Sequence, residues 1–213
     1  RSALPARSEM CIRDRPSLLK RALDSVIQQD YSGLNVEIIV LDNEQDAEIA
    51  EQVDSLISGY HESGLTLYRN SENIGMFANW ELCIKHATAQ WVMILNDDDY
   101  LLDGYFKKVA KYLNCDDAIL GVEKIIRDER CSVGTKKSSS NLKSIVRHWL
   151  NDFFPTRKID VVDMIYSNRL GNSTGLLLNK KKIPSQGTLF NHQFYPSSDY
   201  EAWVRLIRIG GCT

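Results

Sequence analysis

From Pro16 onward the apolar positions alternate between two periods. Leu18, Leu19, Ala22, Leu23, Val26 and Ile27 recur at helical spacing, with Pro16 suited to a first helical turn. After a polar turn over Gln28–Gly33, Val36–Leu41 is a short, β-branched, almost wholly apolar run ending in Asp42. Such a run is expected of a strand covered on both faces. The alternation then repeats. Ile49, Val53, Leu56 and Ile57 predict a helix closing near Gly59, and Leu65–Tyr68 a strand, followed by a polar loop to Gly75. Trp80, Cys83, Ile84 and Ala87 mark a helix over Phe77–Thr88, and Trp91–Leu95 a second buried-type strand that ends in Asn96-Asp97-Asp98-Asp99. Tyr105, Phe106, Val109, Tyr112 and Leu113 predict a further helix, and Ala118–Ile126 a strand. This β-α alternation implies an α/β fold with a doubly wound, mostly parallel sheet and helices on both faces.

Beyond Ile126 the pattern thins. Residues 127–141 read as a polar loop, 142–153 as an amphipathic helix, Gly175–Leu178 as a strand, and Asp199–Ile209 as a helix with Trp203, Leu206 and Ile207 inward. Residues 1–14 carry neither period, and SEMCIRDR looks like translated adapter sequence, so this stretch is read as a non-native or disordered tail. Residues 15–213 are then one domain, and the stop just after a helical pattern reads as a C-terminal truncation.

Composition narrows the function classes. With 43% hydrophobic and 25% charged residues the chain can form a sizeable core, which sets disorder aside. A net charge of -2 supplies no basic field for nucleic acid, so none is expected as a partner. No apolar run approaches the roughly 20 residues of a membrane helix, and any membrane association is expected to be peripheral. Five scattered cysteines with no CxxC pair argue against a disulfide framework or a structural zinc, and point to a reducing compartment. The four histidines have no metal-ligand spacing, the four tryptophans fall on apolar stripes, and Lys180-Lys181-Lys182 reads as a solvated run.

Candidate chemistry lies where two strands end. In an open α/β sheet, ligands bind outside the carboxyl ends of the strands, and both Asp42 and Asn96–Asp99 fall there. Adjacent carboxylates repel one another, and a bound divalent cation relieves that repulsion; oxygen ligands without His or Cys suit Mg²⁺ or Mn²⁺. The competing reading is a helix cap just before Tyr100. An EF-hand is excluded by register, because Leu101 and Ala110 would occupy positions that need oxygen ligands.

Taken in order, Arg15-Pro16 with LLKRALDSVIQQDY, VEIIVLDN, ENIGMFANW, WVMILNDDDYLL and the later SSDYEAWVRLI resemble a glycosyltransferase of family 2, with a GT-A, Rossmann-like fold. The resemblance implies a nucleotide-sugar-binding half over 15–126 and an acceptor-binding half over 127–213. It implies donor contacts from Asp42, Asn73, Asn79, Asn96 and Asp97, a metal ligand in Asp98, a structural role for Asp99 and a catalytic base in Asp199. The implied reaction is metal-dependent, inverting transfer from a nucleotide-diphospho-sugar, UDP- or dTDP-linked, to a hydroxyl of a glycan or lipid-linked acceptor. Such enzymes build surface polysaccharides in the cytoplasm, at the inner face of the membrane. For Asp199 the helix-cap role stands beside the base role.

Three departures qualify the expectation. Asn96 stands where the family has the first Asp of its DxD motif, Asn43 where it often has a second Asp, and Ala78 where an Arg is usual. The family's first strand, central in the sheet between those ending at Asp42 and Asn96, has no counterpart here, which predicts a poorly stable, inactive chain. A nucleotidyltransferase and a non-catalytic sugar- or nucleotide-binding relative are the alternative readings.

Overall fold

The computed structural model describes residues 15–122, 124, 158–166, 168–171, 173–185 and 187–213. The expected tail over 1–14, the polar loop over 127–141 and the helix over 142–153 lie outside the described residues.

Helix α1 (Arg15–Ile27) buries Ala22, Leu23 and Val26, the stripe its spacing predicts. Strand β1 (Ile39–Asp42) leads into α2 (Ala47–Ser58), whose N-cap Asp46 accepts from the amides of Glu48 and Ile49 at 2.9 and 3.3 Å. Strand β2 (Thr66–Arg69) returns parallel to β1, with Ile39 opposite Thr66 and Asp42 opposite Arg69. Helix α3 (Met76–His86) starts from Gly75, whose φ of +80° favours glycine, and ends on Lys85 and His86, which suit the negative end of the helix dipole. Strand β3 (Trp91–Met93), α4 (Tyr105–Val109) and β4 (Ile119–Leu120) follow, then α5 (Val161–Tyr166), β5 (Leu177–Asn179) and α6 (Ser198–Gly210). Among the described residues no helix is long and apolar enough to cross a membrane.

Two differences from the pattern have local causes. Helix α4 stops at Val109 instead of running to Leu113, and turns continue the chain, with the amides of Tyr112 and Cys115 bonding three residues back. The Leu113 carbonyl accepts the Trp91 indole N–H at 2.8 Å, which ties this turn to β3. The strand expected over Val36–Leu41 is paired only from Ile39, because β2 offers four residues to pair with.

The sheet is in two pieces. β1 and β2 form a parallel pair; β3, β5 and β4 form a second sheet in that order, with β5 antiparallel to both neighbours. The largest core lies on the second sheet, where Trp203, Leu206, Phe190, Leu176, Leu178 and Ile119 are fully buried or nearly so. Phe190 meets Trp203 edge-on at 5.8 Å and Trp80 at 5.7 Å. Between β1 and β3 no strand is present among the described residues, and a cavity of about 1050 Å³ occupies the space. Ile38, Ile39, Val40 and Leu41 are consequently only half-buried, although their sequence is that of a strand covered on both faces.

Candidate active site

Asp42 ends β1 with its side chain buried. Its Oδ1 accepts from the Glu44 amide at 2.9 Å and its Oδ2 from Arg69 Nε at 3.0 Å. Arg69 is the residue opposite Asp42 in the ladder, and its guanidinium also grips Asp54 at 3.0 and 3.2 Å and the Ala50 carbonyl at 3.2 Å. The strand-end carboxylate is thus held rigid by the neighbouring strand and by α2.

Beside it four asparagines form one network. Asn43 Nδ2 donates to Asn73 Oδ1 at 3.0 Å, while Asn43 Oδ1 accepts from Asn70 Nδ2 at 2.9 Å and from the Ile74 amide at 3.1 Å. Asn70 Nδ2 also donates to Asn79 Oδ1 at 2.7 Å, and Asn79 Nδ2 reaches the Leu41 carbonyl at 3.3 Å. The network ties the loop before α3 to the end of β1. Asn43, in the place of a second acidic residue, serves as its hub because an amide can donate and accept at once.

At the end of β3, Asn96 Nδ2 donates to Asp99 Oδ2 and to Thr174 Oγ1, both at 3.2 Å, and the Thr174 hydroxyl donates to Asp99. Asp99 is therefore engaged with the segment that leads into β5. Asp97 is half-buried and Asp98 exposed. Arg21 of α1 donates to the Asp98 carbonyl at 3.1 Å, and its guanidinium lies 4.8 Å above the Tyr100 ring. The helix-cap reading of this acidic run is overturned: the next helix begins at Tyr105 and is capped by Gly104 at φ +76°. Asp199 sits in the first turn of α6, half-buried, with Oδ1 accepting from the Tyr200 amide at 2.7 Å; the N-cap position belongs to Ser197.

Asp42, Asn73, Asn79, Asn96, Asp97, Asp98 and Asp199 all line the single cavity that separates β1 from β3. The fold thus brings to one cavity residues that lie up to 157 positions apart, as the numbering of Asp42 and Asp199 shows. Lys124 carries a positive charge into the same field. Its ammonium donates to the Leu170 carbonyl at 2.6 Å; burial pulls its pKa down to about 8, against the raising influence of Asp99 and Asp199.

The model of the family described as "Glycosyl transferase family 2" matches residues 10–173, more than half of the chain. The chain belongs to glycosyl transferase family 2. One curated relative is an uncharacterized glycosyltransferase, MG025, from Mycoplasma genitalium, 29% identical over 99 residues. The match covers 46% of this chain, which spans 33% of that relative's length. Among solved structures, TarS 1–349 from S. aureus superposes with a TM-score of 0.61 over 94% of this chain and 55% of its own, at 13% identity, a likeness of fold. A mannosyltransferase, PcManGT from Pyrobaculum calidifontis, solved in complex with GDP-Man and Mn²⁺, matches 52% of this chain and 32% of its own at 21% identity and a TM-score of 0.46.

Several groups of this family 2 chain were not legible as site residues. Ser173 lines the cavity, Arg69, Asn70 and Thr174 bond to the lining residues Asp42, Asn79 and Asn96, and the charges of Asp99 and Asp199 act on Lys124; no local motif announces any of them. The lysine run is not simply solvated: Lys180 Nζ donates to the Ala87 carbonyl, and Lys182 pairs with Asp116 at 2.7 Å. Among the described residues no histidine lines the cavity; His86 stacks on Tyr68 at 3.9 Å and His192 is exposed. Trp203 is core, while Trp149 and His148 lie outside the described residues.

Ser173 is the most informative of the additions. It is 1% exposed, lines the cavity, and its hydroxyl has no hydrogen-bond partner among the described residues. A buried hydroxyl left unpaired costs about 1–3 kcal/mol. Ser173→Ala is therefore expected to stabilise the ligand-free chain by about 1 kcal/mol, a rise of roughly 2–4 °C in Tm by calorimetry. An unchanged or lower Tm would mean that the hydroxyl is already satisfied.

Proposed function

We propose that the chain carries the donor site and the general base of a glycosyltransferase that moves a sugar from a nucleotide-diphospho-sugar to an acceptor hydroxyl with inversion. The reading is supported above all by the convergence of the two strand-end acidic segments and Asp199 on one cavity rim. Asp199 accepts the proton of the acceptor hydroxyl as its oxygen attacks the anomeric carbon, and the bond from that carbon to the diphosphate oxygen breaks. With Oδ1 held by the Tyr200 amide, Oδ2 is the oxygen that takes the proton. Asn73 and Asn79 flank the nucleoside. Asp42, although bonded at both oxygens, keeps lone pairs that can receive a base N–H.

The acidic rim fits a cation that arrives with its substrate and does not fit a resident cage. Among the described residues no three His, Cys, Asp or Glu side chains gather as a metal site, and Asp99 is committed to Asn96 and Thr174. Asp98, with Asp97 beside it, offers one or two carboxylates, the usual protein share for Mg²⁺ or Mn²⁺ held mainly by phosphates and water. When bound, such a cation neutralises the charge that develops on the diphosphate. The donor is a UDP- or dTDP-sugar and the acceptor a glycan or lipid-linked hydroxyl, met at the cytoplasmic face of the membrane.

Thermal melts with UDP, dTDP, GDP and CDP, each with Mn²⁺ or EDTA, test this reading. One nucleoside diphosphate is expected to raise Tm only with metal, since a ligand at 100 times its Kd adds about 2.7 kcal/mol. Asp98→Ala should abolish that shift and leave the unliganded melt unchanged. An equal shift in EDTA, or one that survives Asp98→Ala, would overturn the metal assignment.

A further inference from the structure

The acidic run and the turns after it are held from behind by α1. Arg21 and Ser25 of α1, and Gln29 just past its end, are spaced four apart, so they fall on one side of the helical turn. Each bonds to the backbone that follows β3. Arg21 Nη2 donates to the Asp98 carbonyl at 3.1 Å. Ser25 Oγ accepts from the Leu101 amide at 3.0 Å, and Gln29 Oε1 accepts from the Tyr105 amide at 3.0 Å. The stripe is itself braced. The Ser25 hydroxyl donates to the Ala22 carbonyl at 2.7 Å, and Gln29 Nε2 donates to the Ser25 carbonyl at 2.6 Å. With their donors used within the helical turn, both side chains meet the loop as acceptors.

The bonds fix the residue that matters. The peptide unit joining Asp98 to Asp99 is engaged at both ends, its carbonyl by Arg21 and its N–H by the Asn96 carbonyl at 3.2 Å. The Asp98 backbone is thus held while the residue stays exposed. Beside the polar stripe, Val26 packs with Leu101 and Phe106 in one small core, and Tyr31 meets Phe106 edge-on at 5.1 Å. Arg21, Ser25 and Gln29 do not line the cavity, so in this arrangement they act on a ligand there through the loop they hold.

We infer that Arg21, Ser25 and Gln29 are positioning residues, which hold the backbone over 98–105 so that Asp98 meets a phosphate-bound divalent cation in a loop already ordered. The inference rests on the reading of Asp98 as the metal ligand. A cation held by only one or two protein carboxylates gains little from the protein, and little of that gain remains if the loop must be ordered at the same time. The three side chains remove that requirement before the ligand arrives.

The test compares the wild-type chain with Arg21→Met, Ser25→Ala and Ser25→Thr. Each is titrated with UDP, dTDP, GDP and CDP, with Mn²⁺ and with EDTA, and its amide hydrogen exchange is followed. Arg21→Met and Ser25→Ala are expected to bind the preferred nucleotide about tenfold more weakly with Mn²⁺, and no differently from wild type in EDTA. Exchange at the Leu101 amide should be about tenfold faster in Ser25→Ala, which loses its acceptor. Ser25→Thr keeps the hydroxyl and should behave as wild type in both measurements. Faster exchange at Leu101 with Mn²⁺-dependent binding intact would make the contact a matter of stability alone and overturn the inference. Equal weakening in EDTA would overturn it too, since the stripe would then act on the nucleotide and not on the cation. A wild-type chain that binds nucleotide equally in EDTA would overturn it together with the Asp98 assignment, a result that shows before any substitution is made.

Discussion

Replacing Asp199 by Asn is expected to lower sugar transfer by the full-length protein about 10²- to 10⁴-fold, the usual contribution of a positioned general base. The substitution keeps the size of the side chain and the Oδ1 acceptor for the Tyr200 amide, so the first turn of α6 stays intact. It removes the charge that uptake of the acceptor proton requires, together with the influence of that charge on Lys124. Binding of the nucleoside diphosphate, which we assign to Asp42, Asn73, Asn79 and the acidic run, should be unchanged in calorimetry. Loss of kcat with an unaltered nucleotide Kd is the result that fits. Retained turnover would show that another group takes the proton, and a parallel loss of nucleotide binding would assign Asp199 to the donor side.

Trp203→Ala is expected to destabilise the chain by about 3–5 kcal/mol, a fall of roughly 6–20 °C in Tm at this size. Trp203 is completely buried, and its ring meets Phe190, which in turn stacks with Phe77 at 5.4 Å and meets Trp80. Removal of the indole opens a cavity at the centre of the largest core. Trp203→Phe is the companion test. It keeps an aromatic ring and deletes an indole N–H that is buried without a hydrogen-bond partner among the described residues, so part of the packing loss is offset. The expected order of stability is wild type at or above Phe, and Phe well above Ala. A Trp203→Ala melt within a few degrees of wild type would contradict the placement of this core.

The regular part of the fold was legible because each element carries its own period. Ile49 and Val53 are the buried residues of α2, and Ala202, Trp203, Leu206 and Ile207 form the buried face of α6, as their spacing implies. The strand end at Asp42 was legible for the same reason, whereas the strand expected over Trp91–Leu95 stops at Met93, short of Asn96. What the side chains bond to was not legible. Arg69 finds Asp42 across 27 residues, Lys124 finds Leu170 across 46, and Asn96 finds Thr174 across 78. These are accidents of topology that no local pattern encodes. Charge runs were the weakest ground. The acidic triplet looked able to cap a helix and the lysine triplet looked solvated, and in both cases tertiary partners decided otherwise.

The claim that the cavity rim is the donor site is tested most directly by magnetic resonance of the isotopically labelled chain with Mn²⁺ and the nucleoside diphosphate it binds. A paramagnetic ion broadens nearby resonances selectively. The account predicts that the amides of Asn96–Asp99 vanish first, followed by those around Asp42, Asn73 and Asp199, while α2 and the start of α5 stay sharp. The same ion without nucleotide should broaden them far less, since one or two carboxylates hold it weakly. Broadening centred elsewhere, or the same pattern with Mn²⁺ alone and no response to nucleotide, would contradict the account.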